Sequence, residues 1–309
     1  MRKSSRRKII QATTITLVTL LGPQWAMSQS IVGSFYSKGE SNMSHQQRGY
    51  APGPYGQIHY LDTGGDGRPL VLLHQSPMTL RQYDSVYGLF AERGFRAIGI
   101  DTPGYGQSDP PSFIPKIEDY APATVAVLDH LGIAKVDLIG HHTGALIATE
   151  VAIQFPERIN NLVMHAPLPL DDEQRAFYMK YTEDTEVNLN PRANGEHLAE
   201  LFRSRNSWSH GEINPAIVTR YIAEALIGYG PFWWGHNAAF KYDHAASLPK
   251  LSHRTLVIIN TGDAIYPNAQ VAMQMRPDFE YSELAGGGGD IVDQQSEPWV
   301  NAIIAFLNG

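Results

Sequence analysis

The segment Lys135-Val136-Asp137-Leu138-Ile139-Gly140-His141-His142-Thr143-Gly144-Ala145-Leu146 reads as a buried strand that turns abruptly into a helix. Lys135 to Ile139 reads as a strand. Ala145 to Phe155 has helical spacing and is ended by Pro156. Between them, Gly140 and Gly144 let the backbone turn sharply and bring the helix close to the sheet. Such a turn thrusts His142 out above the sheet at a helix N-terminus.

The alternation continues on both sides. Strands are predicted at Gln57–Asp62, Leu70–His74, Phe95–Ile100, Ile159–Met164, Thr255–Ile259 and near Phe279–Leu284. Helices are predicted before Gly94, over Thr124–Leu131, from about Asn268, and in a last segment closing at Leu307. Strands alternating with helices imply an α/β fold: a mostly parallel central sheet flanked by helices. Residues 168–245 interrupt the pattern and are too long for a loop, so they are expected to form an inserted helical lid. The core is then 56–167 and 246–309. Residues 29–55, rich in Ser, Gly, Gln and Pro without a period, read as a lead-in. In open α/β sheets ligands bind beyond the carboxyl ends of the strands, so the site is sought there.

The first residues have the layout of an export signal, with Arg2, Lys3, Arg6, Arg7 and Lys8 before an apolar stretch, Ile9–Leu21. A break at Gly22-Pro23 and small residues around Ala26-Met27-Ser28 follow, so 1–28 is expected to be removed. The alternative is an amphipathic anchor helix. Ser5-Arg6-Arg7-Lys8-Ile9-Ile10 is similar to the twin-arginine signal of bacteria, which implies a periplasmic destination. The chain has 24 Lys+Arg against 31 Asp+Glu, and removing those five basic residues leaves 19 against 31, a net charge of about −12. So acidic a chain, lacking a basic stripe, is not expected to bind nucleic acid or to stay on an anionic membrane after signal removal. The absence of cysteine excludes disulfides, thiolate ligands and a cysteine nucleophile. The oligomeric state is not legible.

The Gly140–Gly144 turn resembles the Gly-x-Ser-x-Gly elbow of the α/β-hydrolase superfamily, and Asp101-Thr102-Pro103-Gly104-Tyr105-Gly106-Gln107-Ser108 resembles that family's loop after the preceding strand. The likeness runs from about Gln57 to Leu307. It implies that His142 stands at the nucleophile position. Imidazole there is a nucleophile, a general base, or a plug in a decayed elbow. His141 fits a packing position beneath the elbow. His74-Gln75-Ser76-Pro77 looks like the family's oxyanion loop, which implies that the Ser76 and Thr143 amides form the oxyanion site. Gln75, where glycine is usual, adds a donor or narrows the site. Asp263, in Asn260-Thr261-Gly262-Asp263, resembles the carboxylate that orients the catalytic histidine.

That histidine is missing. None occurs after His253, and Gly289 falls at its position within Gly286-Gly287-Gly288-Gly289-Asp290. The acyl-serine mechanism is therefore excluded. Asp263 is expected to reach across to His142, while the space at Gly289 admits substrate or water, with Asp290 as an extra carboxylate. His165 supports His142, serves as the base itself, or is a hydrogen-bonded core residue. His74, His142 and His165 together suit zinc, yet ligand spacing is lacking, so no metal is expected. No organic cofactor is expected either, since the glycine run precedes no dinucleotide-type turn. In the lid, Phe232, Trp233 and Trp234, within the segment Phe232-Trp233-Trp234-Gly235-His236, are expected to border a cavity for a small, largely apolar substrate. The resemblance implies hydrolysis of an ester, lactone or related carbonyl compound. The alternatives are a lyase or isomerase using His142 as base, and a catalytically dead ligand-binding relative.

Overall fold

This computed structural model describes residues 46–208 and 214–309. The expected signal at 1–28 and the lead-in up to residue 45 lie outside the described residues, as do five lid positions, 209–213.

One eight-stranded sheet forms from β1 (Gln47–Gly53), β2 (Gly56–Asp62), β3 (Arg68–Leu73), β4 (Phe95–Ile100), β5 (Val136–His141), β6 (Ile159–His165), β7 (Arg254–Asn260) and β8 (Glu280–Leu284). The spatial order is β1-β2-β4-β3-β5-β6-β7-β8. The pairs β1–β2 and β2–β4 are antiparallel and all the others parallel. The chain winds one way from β3 to β4 and the other way from β5 to β6, so the crevice at the ends of β3 and β5 is where a ligand belongs.

The helices are α1 (Tyr87–Glu92), α2 (Ile117–His130), α3 (Thr143–Gln154), α4 (Asp172–Thr182), α5 (Glu196–Ser207), α6 (Pro215–Ile227), α7 (Trp234–Lys241), α8 (His244–Ser247), α9 (Tyr266–Met275), α10 (Ile291–Gln294) and α11 (Ser296–Asn308). The period of two along each strand divides its side chains between two cores. Val71, Leu73, Leu138, Leu162, Met164 and Val257 pack with residues of α2 and α3 such as Val127 and Leu146. Leu70, Leu72, Ile139, Val163 and Ile258 meet Phe90 of α1 and Trp299 and Ile303 of α11. Each fully buried aliphatic side chain contributes roughly 2 kcal/mol, so two-sided burial dominates the stability of the sheet. The lid is held differently. Its helix α4 buries only Thr182, and α5 only Leu201. Ion pairs, Arg205 to Asp290 and Arg220 to Asp293, tie α5 and α6 to the core, whereas α7 packs Ala238 and Ala239 into it.

Two expectations need correction. Part of the lead-in is strand β1, which pairs with β2 from Gln47↔Asp62 to Gly53↔Gly56. It escaped notice because an edge strand has one covered face: only Ala51 is buried, and Pro52 is tolerated at an edge. Helix α2 begins at Ile117 rather than near Thr124, with Pro122 inside it. Proline removes the bond to the carbonyl four residues back, that of Glu118. That carbonyl accepts from the Gln154 side chain at 3.2 Å instead.

Candidate active site

The elbow is built by close approach. A Cβ on Gly144 would collide with the Leu73 carbonyl of β3, and one on Gly140 with the Gly144 carbonyl. The squeeze leaves His142 at φ 50°, ψ −117°, a costly conformation for a residue with a side chain. Its ring is thereby held above the sheet, at the N-cap of α3. Thr143, first residue of α3, has no intrahelical acceptor for its N–H.

Asp263, three residues beyond β7, meets this ring: His142 Nε2 and Asp263 Oδ2 are 2.8 Å apart. The other carboxylate oxygen accepts from the Ile265 N–H at 3.0 Å. Burial works to raise the Asp263 pKa, but the adjacent His142 charge, the His142 and Ile265 hydrogen bonds and His165 outweigh it and hold the carboxyl at about 2. An ionised carboxylate accepts only. Neutral His142 therefore donates from Nε2, and Nδ1 carries the lone pair. The side chain is 23% exposed and forms part of a cavity wall.

His141 and His165 lie beneath, paired in register across β5 and β6 and stacked with ring centroids 4.2 Å apart. The Trp299 indole, a donor only, gives its N–H to His165 Nδ1 at 2.9 Å. His165 Nε2 then donates to Asn260 Oδ1 at 3.1 Å. Burial pushes the His165 pKa down to about 4 and that of His141 well below its ordinary value. With both nitrogens engaged and no surface on the cavity, His165 has the position of a hydrogen-bonded core residue, not of a base. His74 is likewise buried: its Nε2 accepts from the Thr102 N–H at 3.0 Å, and Nδ1 donates to the Gln75 carbonyl at 2.9 Å. It orders the loop from within and does not reach the cavity wall.

The suggested trio of His74, His142 and His165 therefore does not converge on a metal. Among the described residues, donor atoms of His141, His165 and Asp263 lie within 4.8 Å of one another. His165 has no lone pair to spare and Asp263 is engaged by His142 and Ile265, so this donor set fits packing rather than coordination.

The cavity leaves about 120 Å³ open to the centre of a water molecule. Gln75, Ser76, His142, Thr143, Asp263 and Gly289 all line it, together with lid residues. Gln75 donates its side-chain amide to the Gly289 carbonyl at 3.1 Å. Of the expected lid segment, Phe232 and His236 line the cavity; Trp233 belongs to a separate concavity beside Met179, and Trp234 packs near Gly104 and Gly230. Helix α7 begins at Trp234, and consecutive helical residues point about 100° apart. The cavity face of α7 is His236, Ala239 and Phe240 instead. Tyr178 stacks on Phe240 at 4.8 Å, and Tyr181 and Trp208 complete the aromatic wall.

Two further lid residues on the wall, Glu186 and Arg205, were not anticipated, and they join His236 of the expected segment. The guanidinium of Arg205 occupies the space over Gly289: a Cβ added there would lie 3.4 Å from Arg205 Nη1 and 3.8 Å from His142 Cε1. Arg205 pairs with Asp290 and lies 4.4 Å from the Tyr221 ring centroid. His236 Nδ1 bonds Glu186 Oε1 at 2.7 Å. Burial works to lower the His236 pKa, but the charge and hydrogen bond of Glu186 prevail and raise it. The one available signal for Arg205 was its place four residues after Leu201, on the same face of a helix whose other residues are mostly polar.

A mostly parallel sheet whose fifth strand turns through a strained residue into a helix, under a helical insertion, defines an α/β-hydrolase-fold protein. Residues 68–287 match the alpha/beta hydrolase fold family, and the chain belongs to it. It is 29% identical over 262 residues to the dihydrolipoyllysine-residue acetyltransferase component of the acetoin cleaving system of Pseudomonas putida, covering 81% of this chain and 66% of that protein. It is 37% identical over 112 residues to a 2-hydroxy-6-oxononadienedioate/2-hydroxy-6-oxononatrienedioate hydrolase of Paraburkholderia phymatum, covering 35% of this chain and 39% of that one. The chain thus spans less than two thirds of the length of each. An esterase from Exiguobacterium antarcticum has the same fold, with a TM-score of 0.74 at 18% identity over 85% of this chain and 100% of that one.

Proposed function

We propose that this chain hydrolyses a small, uncharged ester, lactone or related carbonyl compound, with His142 acting as general base on water. The observation that carries the reading is the 2.8 Å bond from His142 Nε2 to Asp263, which leaves the lone pair on Nδ1 of a ring that lines the cavity. In this mechanism Nδ1 removes a proton from water, and the hydroxide oxygen bonds to the carbonyl carbon. The oxyanion is received by the Ser76 and Thr143 N–H groups. On collapse the bond to the leaving oxygen breaks, and the imidazolium returns its proton to that oxygen. A one-step attack by water suits a site in which Gly289 leaves no second histidine to deacylate an enzyme ester.

Charge and size define the substrate class. Each basic side chain that the lid contributes to the wall already has a carboxylate partner: Arg205 with Asp290, His236 with Glu186. An anionic substrate would meet no uncompensated positive charge, in contrast to the dioate named for the Paraburkholderia relative. A cavity of roughly 150 Å³ admits benzene, so the occupant is a molecule of comparable size. We also propose export, on the strength of the basic start and apolar stretch at 1–28; fusing that segment to a reporter and locating it tests this.

The test of the reaction is turnover of neutral esters and lactones in oxygen-18 water. One label in the acid product is expected. Product formed without label would replace hydrolysis by lyase or isomerase chemistry. Thermal stabilisation by a ligand without any product would leave a binding role.

A further inference from the structure

Gly289 leaves space beside His142, and a lid side chain enters it. The point at which a Cβ on Gly289 would stand lies 3.4 Å from Arg205 Nη1, 3.5 Å from Arg205 Nη2 and 3.8 Å from His142 Cε1. That ring carbon joins Nε2, which bonds Asp263, to Nδ1, so the guanidinium stands on the side of the ring that the lone-pair nitrogen shares. Arg205, His142 and Gly289 all line the cavity. Asp290, one residue beyond Gly289, accepts from Arg205 Nη2 and so anchors the guanidinium from α5 to the core. The Tyr221 ring centroid lies 4.4 Å from the guanidinium carbon. Only 9% of the Arg205 side chain is exposed, and Leu201, Ile222, Ala225 and Phe240 line the same cavity. A hydrogen bond in such surroundings is stronger than in water.

From this placement we infer that Arg205 is a catalytic residue that donates a hydrogen bond to the leaving oxygen of the substrate. The inference rests on the hydrolase reading and adds a third participant to it. Three oxygens change charge in that reaction. The carbonyl oxygen already has the Ser76 and Thr143 N–H groups, and the attacking water needs an acceptor for its proton, which His142 Nδ1 supplies. The leaving oxygen is the one still to be steadied, and it must come to the same side of the His142 ring to recover the proton. As the intermediate collapses, the bond between the carbonyl carbon and the leaving oxygen breaks, and its electron pair passes to that oxygen. The oxygen takes the proton from Nδ1 of the imidazolium. The guanidinium keeps all of its protons and stabilises the charge on the oxygen until that transfer is complete. The products are the acid and the alcohol, and His142 is neutral again. Asp290 cancels the charge of Arg205 as seen from a distance, so the pair does not draw an anionic substrate, whereas a hydrogen bond acts at contact.

A leaving-group series tests this. Trifluoroethyl, chloroethyl and ethyl esters of the acid whose esters the protein turns over fastest are similar in size, and their leaving oxygens are increasingly basic. The variant is Arg205→Met with Asp290→Asn, which removes the guanidinium without stranding a buried carboxylate. Its kcat is expected to fall roughly 10-fold on the trifluoroethyl ester and roughly 10²- to 10³-fold on the ethyl ester, the scale of one lost charge-stabilising donor. Arg205→Lys, which keeps a charged donor, should show a shallower dependence on the leaving group than the double variant. A misfolded or loosened lid would lower the three rates by one common factor. An equal loss on all three esters, or a loss confined to KM, therefore overturns the inference while hydrolysis stands. Absence of turnover by the wild-type protein for every acyl group tried is instead a failure of the hydrolase reading, and the inference falls with it.

Discussion

Replacing Asp263 with Asn should disable His142 through its tautomer rather than its position. Asp263 Oδ1 accepts from the buried Ile265 N–H at 3.0 Å, and Asn can keep that bond only by turning its oxygen toward Ile265. The amide nitrogen then faces His142 Nε2, where Oδ2 stood at 2.8 Å. An NH₂ group donates, so Nε2 must become the acceptor and the proton moves to Nδ1, the nitrogen required as base. The charge is lost as well. Two unit charges about 4 Å apart at an effective dielectric of 20 interact by roughly 4 kcal/mol, and that attraction would have stabilised the imidazolium formed as water attacks. Together these effects set the expected loss at roughly 10³- to 10⁴-fold in kcat, with KM little changed. Initial rates on a neutral ester from pH 5 to 9 measure it, and 15N shifts of the ring report the tautomer. Retention of more than about a tenth of the wild-type kcat by Asp263→Asn, with the Nδ1–H tautomer verified, would refute the reasoning.

Other outcomes follow from the lid. Burial pushes the Glu224 carboxyl from its ordinary 4.5 up to about 7, against the lowering effect of Arg220 and Thr79. Between those values the folded protein binds the extra proton, so stability should fall as pH rises from 4.5 to 7, by roughly 3 kcal/mol. Glu224→Gln should flatten this slope in urea unfolding followed across that range. Arg205→Met leaves Asp290 buried without its partner and should cost roughly 3–5 kcal/mol. Arg205→Met with Asp290→Asn should recover most of that loss in the same assay, whereas equal destabilisation of the two variants would show that packing, not charge, holds the lid.

The fold was legible where burial is two-sided or a turn is extreme. Strands such as the one holding Leu70–Leu73 stand out as unbroken apolar runs because both of their faces are covered, and Gly140 and Gly144 mark an approach that only glycine permits. Strand β1 was not legible, since one buried alanine in seven residues leaves no pattern. The juxtaposition of His142, Asp263 and Gly289 followed from their places after strands, which topology brings to one end of the sheet. The lid's contribution did not. Arg205, Glu186 and His236 reach the cavity from segments between which sequence distance says nothing. Trp233 and Trp234 misled because aromatic content marks burial without saying which face of a helix is turned inward. His165 and His74 show the same limit: a histidine at a strand end looks alike in sequence whether its nitrogens are free or, as here, occupied by Trp299, Asn260, Thr102 and Gln75.

The central claim is that His142 is the base. The measurement that tests it most directly compares the wild-type protein with His142→Ala on the neutral ester or lactone turned over fastest, at matched folding. The account predicts a loss of at least about 10³-fold in kcat/KM, the scale of a general base together with its oriented partner. Equal turnover by the two proteins would contradict it and move the chemistry away from the elbow.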